Sequence, residues 1–324
     1  MKRLLVVASV LWLLGSHAAG AAGFQWATAP DGDSPPLQVA IWYPSNSLAT
    51  LTTIGPFDMS VAMNGAVNAG HHPLIVMSHG TGGMALNAYD TAEALANAGF
   101  VVVAVTHTGD NYRDQSMAFT RQNFVDRPRH ITRVIDYMLG FWSGHAAIDP
   151  GRIGIFGHSA GAATALIAIG GVADMSNVVT YCRENPQDWG CAEARRRGSP
   201  APNFVSTPIV AADARIKAAV LVAPAVAAAF QPNGLTAAKV PVQLWVGAKD
   251  DYVSDAARVR TLLPTPPDYH LVANGGHFAY LTPCGELLAR SAPEICVDPK
   301  GFDRTAFLRD FHRSLIAFYR QRLK

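Results

Sequence analysis

The chain lacks the features that would direct it toward nucleic acid, phosphate or metal. Its 324 residues carry a net charge of only +2, and Arg195-Arg196-Arg197 is the one dense basic run, whose ordinary meaning is a solvated face. That balance gives no ground for a nucleic-acid partner. The spacings GxGxxG and GxxxxGK(S/T) are both absent, which removes the two common glycine loops that cradle phosphate. Neither CxxC nor HxxxH occurs, so the four cysteines have no company that would suggest a metal centre. Internal repeats and low-complexity segments are also missing, which leaves a globular domain.

A leader is legible at the start. Lys2 and Arg3 precede an apolar run from Leu4 to Leu14, and mostly small residues follow through Ala22, the three-part layout of a secretory signal peptide. Cleavage after Ala21 or after Ala18 fits the small-x-small rule equally. The run is short for a membrane span, and no cysteine follows it to take a lipid anchor. The expected protein is therefore exported, periplasmic or secreted, with residues 1–21 removed and 22–324 forming one α/β domain. In an oxidising compartment the local pairs Cys182/Cys191 and Cys284/Cys296 are expected to bridge, although four cysteines allow three connectivities.

Periodicity then sets the fold class. An alternating strand is predicted over 37–43, further apolar strands over 73–78, 100–106, 153–156, 216–222 and 240–246, and a shorter one over 270–272. Helical patterns fall between or after them, over 87–98, 129–141, 162–169 and 305–320. Such alternation predicts a mostly parallel central sheet with helices on both faces. The polar, cysteine-paired stretch from about 171 to 214 breaks the rhythm and reads as an insertion over one end of the sheet, either a lid or a surface loop. Ile153 to Val172 has no Asp, Glu, Lys or Arg and could be read as a membrane helix, but its scattered glycines argue against that.

Chemistry concentrates at Gly157-His158-Ser159-Ala160-Gly161, where a serine stands between two glycines at the junction of a strand and an apolar helix. This is the pattern of a nucleophile elbow, whose strained serine needs tiny residues two before and two after so that strand and helix can pass closely. A serine hydroxyl needs a histidine to take its proton, and the histidine needs a carboxylate to orient it. Both are expected later in the chain, on loops after late strands. Asp250 in Gly247-Ala248-Lys249-Asp250-Asp251-Tyr252-Val253 fits the acid, with Asp251 as runner-up. His277, after Gly275-Gly276, fits the base, whereas His158 is expected to pack beside the site. Oxyanion donors are expected from the backbone N–H of Ala160 and, in Ser78-His79-Gly80-Thr81-Gly82-Gly83, of Thr81.

Together with Trp42-Tyr43-Pro44 and Gly276-His277-Phe278 followed by Pro283-Cys284, these motifs resemble the α/β-hydrolase superfamily over about 36–320. Within it they are similar to the predicted dienelactone hydrolase and platelet-activating-factor acetylhydrolase-like branch. The resemblance implies a Ser159, Asp250, His277 triad with Thr81 and Ala160 at the oxyanion hole. One departure matters: dienelactone hydrolases use a cysteine nucleophile, and position 159 is serine, so the lactone substrate is not carried over. The expectation is an exported serine hydrolase of small-molecule carboxylic esters, needing no metal or organic cofactor. Acyl transfer, thioester cleavage and peptidase action would use the same machinery, and a non-catalytic binding protein could share the scaffold. Trp42, Tyr112, Phe278 and Tyr280 are candidates for an acyl pocket, with core packing the competing role, favoured for Trp42.

Overall fold

The structure is a computed structural model that describes residues 21–198 and 207–324. The expected leader, apart from Ala21 at its edge, and residues 199–206 of the insertion lie outside the described residues.

Among the described residues ten strands form one sheet. In chain order they are β1 (Ala22–Asp31), β2 (Ser34–Pro44), β3 (Thr50–Ile54), β4 (Phe57–Met63), β5 (His72–Ser78), β6 (Val101–Thr106), β7 (Ile148–His158), β8 (Ile216–Val222), β9 (Val242–Gly247) and β10 (Asp268–Val272). Their order across the sheet is β10-β9-β8-β7-β5-β6-β2-β1-β4-β3. From β10 to β6 every neighbouring pair is parallel, while β2 runs antiparallel to both β6 and β1. This extension is antiparallel except where β4 runs parallel to β1, and of its strands only β2 was predicted. These strands are joined by short turns and alternate buried with exposed positions, as at Phe57–Met63, so they form no continuous apolar run.

The parallel strands are apolar throughout because both of their faces are covered. On one face Val76, Val103 and Ile155 pack with Ile131, Val134 and Ile135 of α2 (Arg121–Gly140) and Leu166 of α3 (Ala160–Ala168). On the other, Ile75, Val102 and Phe156 pack with Leu95 of α1 (Tyr89–Asn97) and with Leu308, Phe311 and Leu315 of α8 (Arg304–Arg322). Odd and even strand positions thus feed separate cores.

Helix α2 begins eight residues before the predicted boundary at 129 and carries Pro128 inside it. Thr120 caps the true start, its side chain accepting the Asn123 N–H, and buried Asn123, Phe124 and Arg127 hold the first turns inward. The insertion holds α4 (Met175–Glu184) and α5 (Trp189–Arg196), and its ends are tied where Ala173 bridges Ile209 and Phe230. Two further short helices, α6 (Val259–Leu262) and α7 (Glu286–Ser291), complete the set among the described residues. None of these helices is long and apolar enough to cross a membrane. Cys182 is bonded to Cys191 and Cys284 to Cys296.

Helix α8 is fastened to the sheet by Tyr319, whose buried hydroxyl donates to the Ile155 carbonyl at 2.7 Å. A Tyr319→Phe variant is expected to lose about 1 kcal/mol of stability, measured as a lower urea midpoint with an unchanged denaturant slope.

Candidate active site

The site residues come from loops at the carboxyl ends of the parallel strands. The chain runs from β5 to one side into β6 and later to the other side into β7, so the β5/β7 border is the switch point where such sheets open a crevice. Ser159 follows β7, and the Gly80-Thr81-Gly82-Gly83 turn follows β5.

Ser159 is the N-cap of α3 with φ 56° and ψ −120°, a conformation that side chains other than glycine seldom take. The glycines around it are sterically obligatory. A Cβ on Gly157 would collide with the backbone of Gly161, and one on Gly161 would collide with the Ser78 carbonyl. Ser159 is held in turn by its N–H donating to Val222 O at 2.9 Å.

His277 Nε2 lies 3.0 Å from Ser159 Oγ, and His277 Nδ1 lies 2.8 Å from Asp250 Oδ2. A carboxylate oxygen only accepts, so Nδ1 carries the proton and Nε2 is left to accept from the serine. The second oxygen, Asp250 Oδ1, accepts the N–H groups of Tyr252 and Val253, both at 2.9 Å. Asp251, by contrast, is exposed. The Gly275-Gly276 pair lets the histidine loop approach the acid loop: Lys249 N–H donates to Gly275 O at 3.0 Å, and a Cβ on Gly247 would strike that carbonyl. The glycines here provide closeness. His158 donates from Nε2 to the His277 carbonyl at 3.0 Å, and burial together with nearby His277 lowers its pKa to about 3. It is a neutral prop for the backbone of the neighbouring histidine.

The N–H groups of Thr81 and Ala160 donate to no acceptor among the described residues, and both residues line the cavity above Ser159. Ala160 opens α3, where the first amides have no intrahelical partner. A buried polar network underneath holds both donors. Arg127 Nη1 donates to Asp110 Oδ2 at 2.6 Å, its Nη2 donates to the His79 carbonyl, and its Nε donates to Thr164 Oγ1 at 3.1 Å. Thr164 in turn donates to Ala160 O at 2.9 Å, and Asp110 Oδ1 accepts the Gly82 N–H at 2.9 Å. Burial alone would raise the Asp110 carboxyl, but the Arg127 charge and the Gly82 and Asn123 hydrogen bonds outweigh it and hold the group below its usual value. His79 donates from Nδ1 to Gly80 O at 2.6 Å and accepts the His107 N–H at 3.1 Å. Burial, with the Arg127 charge second, lowers its pKa to about 3.

None of this network was anticipated. The signal was present in α2, because Phe124, Arg127 and Ile131 stand at i, i+3 and i+7 on its inward stripe.

Above the serine lies a cavity of about 1090 Å³. Met175, Val178 and Trp189 of the insertion, Leu287 and Leu288 of α7, and Tyr112, Tyr252 and Phe278 all line it. Asp255, also at the wall, accepts the Ala228 N–H at 2.7 Å, and burial pushes its carboxyl up to about 6. Of the four aromatic candidates, Tyr112 and Phe278 line the cavity. Trp42 and Tyr280 do not: both are fully buried in the core, Tyr280 against Phe307 and Phe311. Among the described residues no group of three or more His, Cys, Asp or Glu is placed to hold a metal ion.

The profile of the dienelactone hydrolase family matches residues 59–262. Among solved structures, a ferulic acid esterase from Streptomyces cinnamoneus superposes with TM-score 0.62 at 16% identity, covering 96% of this chain and 92% of that one. The acylaminoacyl peptidase of Pyrococcus horikoshii gives TM-score 0.52 at 12% identity, over 94% of this chain and 42% of that one. A dienelactone hydrolase-like promiscuous phosphotriesterase from metagenomic libraries gives 0.51 at 16%, over 94% and 100%. At these identities the structural likeness establishes the α/β-hydrolase fold. No curated protein matches the chain by sequence.

Arg127 and Asp110 are 1% and 0% exposed, so removing one leaves the other uncompensated. Arg127→Met is expected to lower unfolding free energy by about 3–5 kcal/mol in urea at pH 7, and the double variant Arg127→Met/Asp110→Leu to recover much of that loss.

Proposed function

The chain belongs to the dienelactone hydrolase family, and on that premise we propose that this hydrolase is an exported serine enzyme cleaving carboxylic esters. The observation that carries the reading is the hydrogen-bonded line from Asp250 through His277 to Ser159, at 2.8 and 3.0 Å. Asp250 fixes the tautomer of His277, Nε2 takes the Ser159 proton, and Oγ attacks the acyl carbon. The N–H groups of Thr81 and Ala160 receive the oxyanion of the tetrahedral intermediate. His277 then returns its proton to the leaving alcohol, and water repeats the sequence on the acyl-enzyme. Serine at position 159 argues against carrying over the lactone chemistry of the cysteine enzymes. The fold shared with a ferulic acid esterase supports ester cleavage. Export is supported by the leader pattern of residues 1–21 and by the two disulfides.

Ser159→Ala is expected to cut ester turnover by at least about 10³-fold and to abolish labelling by a fluorophosphonate, with the circular dichroism spectrum unchanged. Wild-type turnover in that variant would overturn the assignment. Activity is also expected to fall as pH is lowered, because protonated His277 cannot accept the serine proton. His79 and His158 are held neutral down to about 3, so neither supplies this acid limb. Asp255, pushed up to about 6 by burial, is a further group of the cavity wall whose protonation could shape that limb. An Asp255→Asn variant that keeps the acid limb in a kcat/KM profile supports His277 as its source; loss of the limb assigns it to Asp255.

A further inference from the structure

The cavity is far larger than an acetyl group requires and has an aromatic row along one side that the hydrolytic mechanism does not use. The row starts at the proposed base. The Tyr252 ring lies over His277, with centroids 5.3 Å apart and 24° between planes, and it meets Phe278 at 4.7 Å and 66°. Trp189 continues the row, 4.9 Å from Tyr252 at 53°. Rings tilted against one another in this way form an angular trough, and Trp189, which also meets Phe119 at 6.1 Å, remains 44% exposed although it lines the cavity. A half-open indole beside a nucleophile is the type of apolar surface that marks a binding site.

Trp189 is also held in place before any substrate arrives. Asp188 caps α5 by accepting the Gly190 N–H at 3.0 Å, and its other oxygen accepts the Ser254 hydroxyl at 2.7 Å from the acid loop. The Cys182–Cys191 bond closes the turn between α4 and α5 that presents the indole. Contact surface fixed in this way needs little further ordering on binding.

The position of the row decides which half of an ester it meets. His277 must deliver its proton to the leaving oxygen, so the group bonded to that oxygen lies on the histidine side of the acyl carbon. Tyr252 and Phe278 stand against the His277 ring itself, and Trp189 adjoins this pair through Tyr252. We propose that the site takes esters whose alcohol carries an aromatic ring, and that Trp189 is the residue that selects it. The proposal rests on the ester-hydrolase reading and supplies its substrate class.

The test compares kcat/KM for ethyl acetate, phenethyl acetate, octyl acetate and ethyl 3-phenylpropanoate, followed by acid release. Phenethyl acetate is expected to exceed ethyl acetate by about tenfold. It is also expected to exceed octyl acetate, which has the same number of alcohol carbons, and to gain more than the ester with its ring on the acyl side. In Trp189→Ala the phenethyl-to-ethyl ratio is expected to fall about tenfold, and Trp189→Phe to restore part of it. A merely structural role for Trp189 would lower both rates alike and leave the ratio standing, which overturns the proposal. So would an equal or larger gain from octyl acetate or from the acyl-side ring. If none of the four esters is cleaved and Ser159 resists a fluorophosphonate, the hydrolase reading itself falls; labelled Ser159 with ethyl acetate preferred sinks only the substrate class.

Discussion

The buried guanidinium of Arg127 is the point to which the loops around the proposed active site are referred. One planar group reaches the end of β5 through the His79 carbonyl, the loop after β6 through Asp110, and α3 through Thr164. Asp110 passes the constraint to the Gly82 amide and Thr164 passes it to the Ala160 carbonyl. Both amides expected to meet an oxyanion thus belong to segments tied to one rigid fork. A lysine could not replace it, since a single ammonium cannot span acceptors arranged in that plane. Such a pair is poor evidence of stability by itself, because desolvation offsets most of the attraction. What it supplies is geometry.

The second constraint is steric. At the elbow, backbone from β5, β7 and α3 converges so closely that Gly157 and Gly161 have no room for a side chain, and Ser159 is left with positive φ. Strain of this kind persists only where the surroundings over-determine it. Here the apolar packing of α3 against the sheet and the Ser159 N–H bond to Val222 do so.

These two constraints were unequally visible in the sequence. The elbow could be read because glycine identity is local and reports directly on space. The parallel strands could be read because burial on both faces gives an unbroken apolar run, as in Val101–Thr106. Asp250 and His277 followed from order along the chain. Strands β1, β3 and β4 escaped notice because half-exposed strands show only weak alternation. The Arg127 network escaped for a different reason. Its partners lie 17, 37 and 48 residues away, so only the fold brings them together. Tyr112 and Phe278 of the cavity wall were named from the sequence, but Trp189 was not, since the polar composition of α4 and α5 reports their outer surface.

Each disulfide joins cysteines only nine or twelve residues apart, and the two cross-linked segments are those that wall the cavity beside α5 and α7. Closing so short a loop restricts the unfolded chain less than closing a long one, and none of the four cysteines belongs to a strand of the sheet. The redox poise of the surroundings therefore governs the outline of the entrance more than the integrity of the core. A reducing compartment would hold the same folded scaffold with slackened walls.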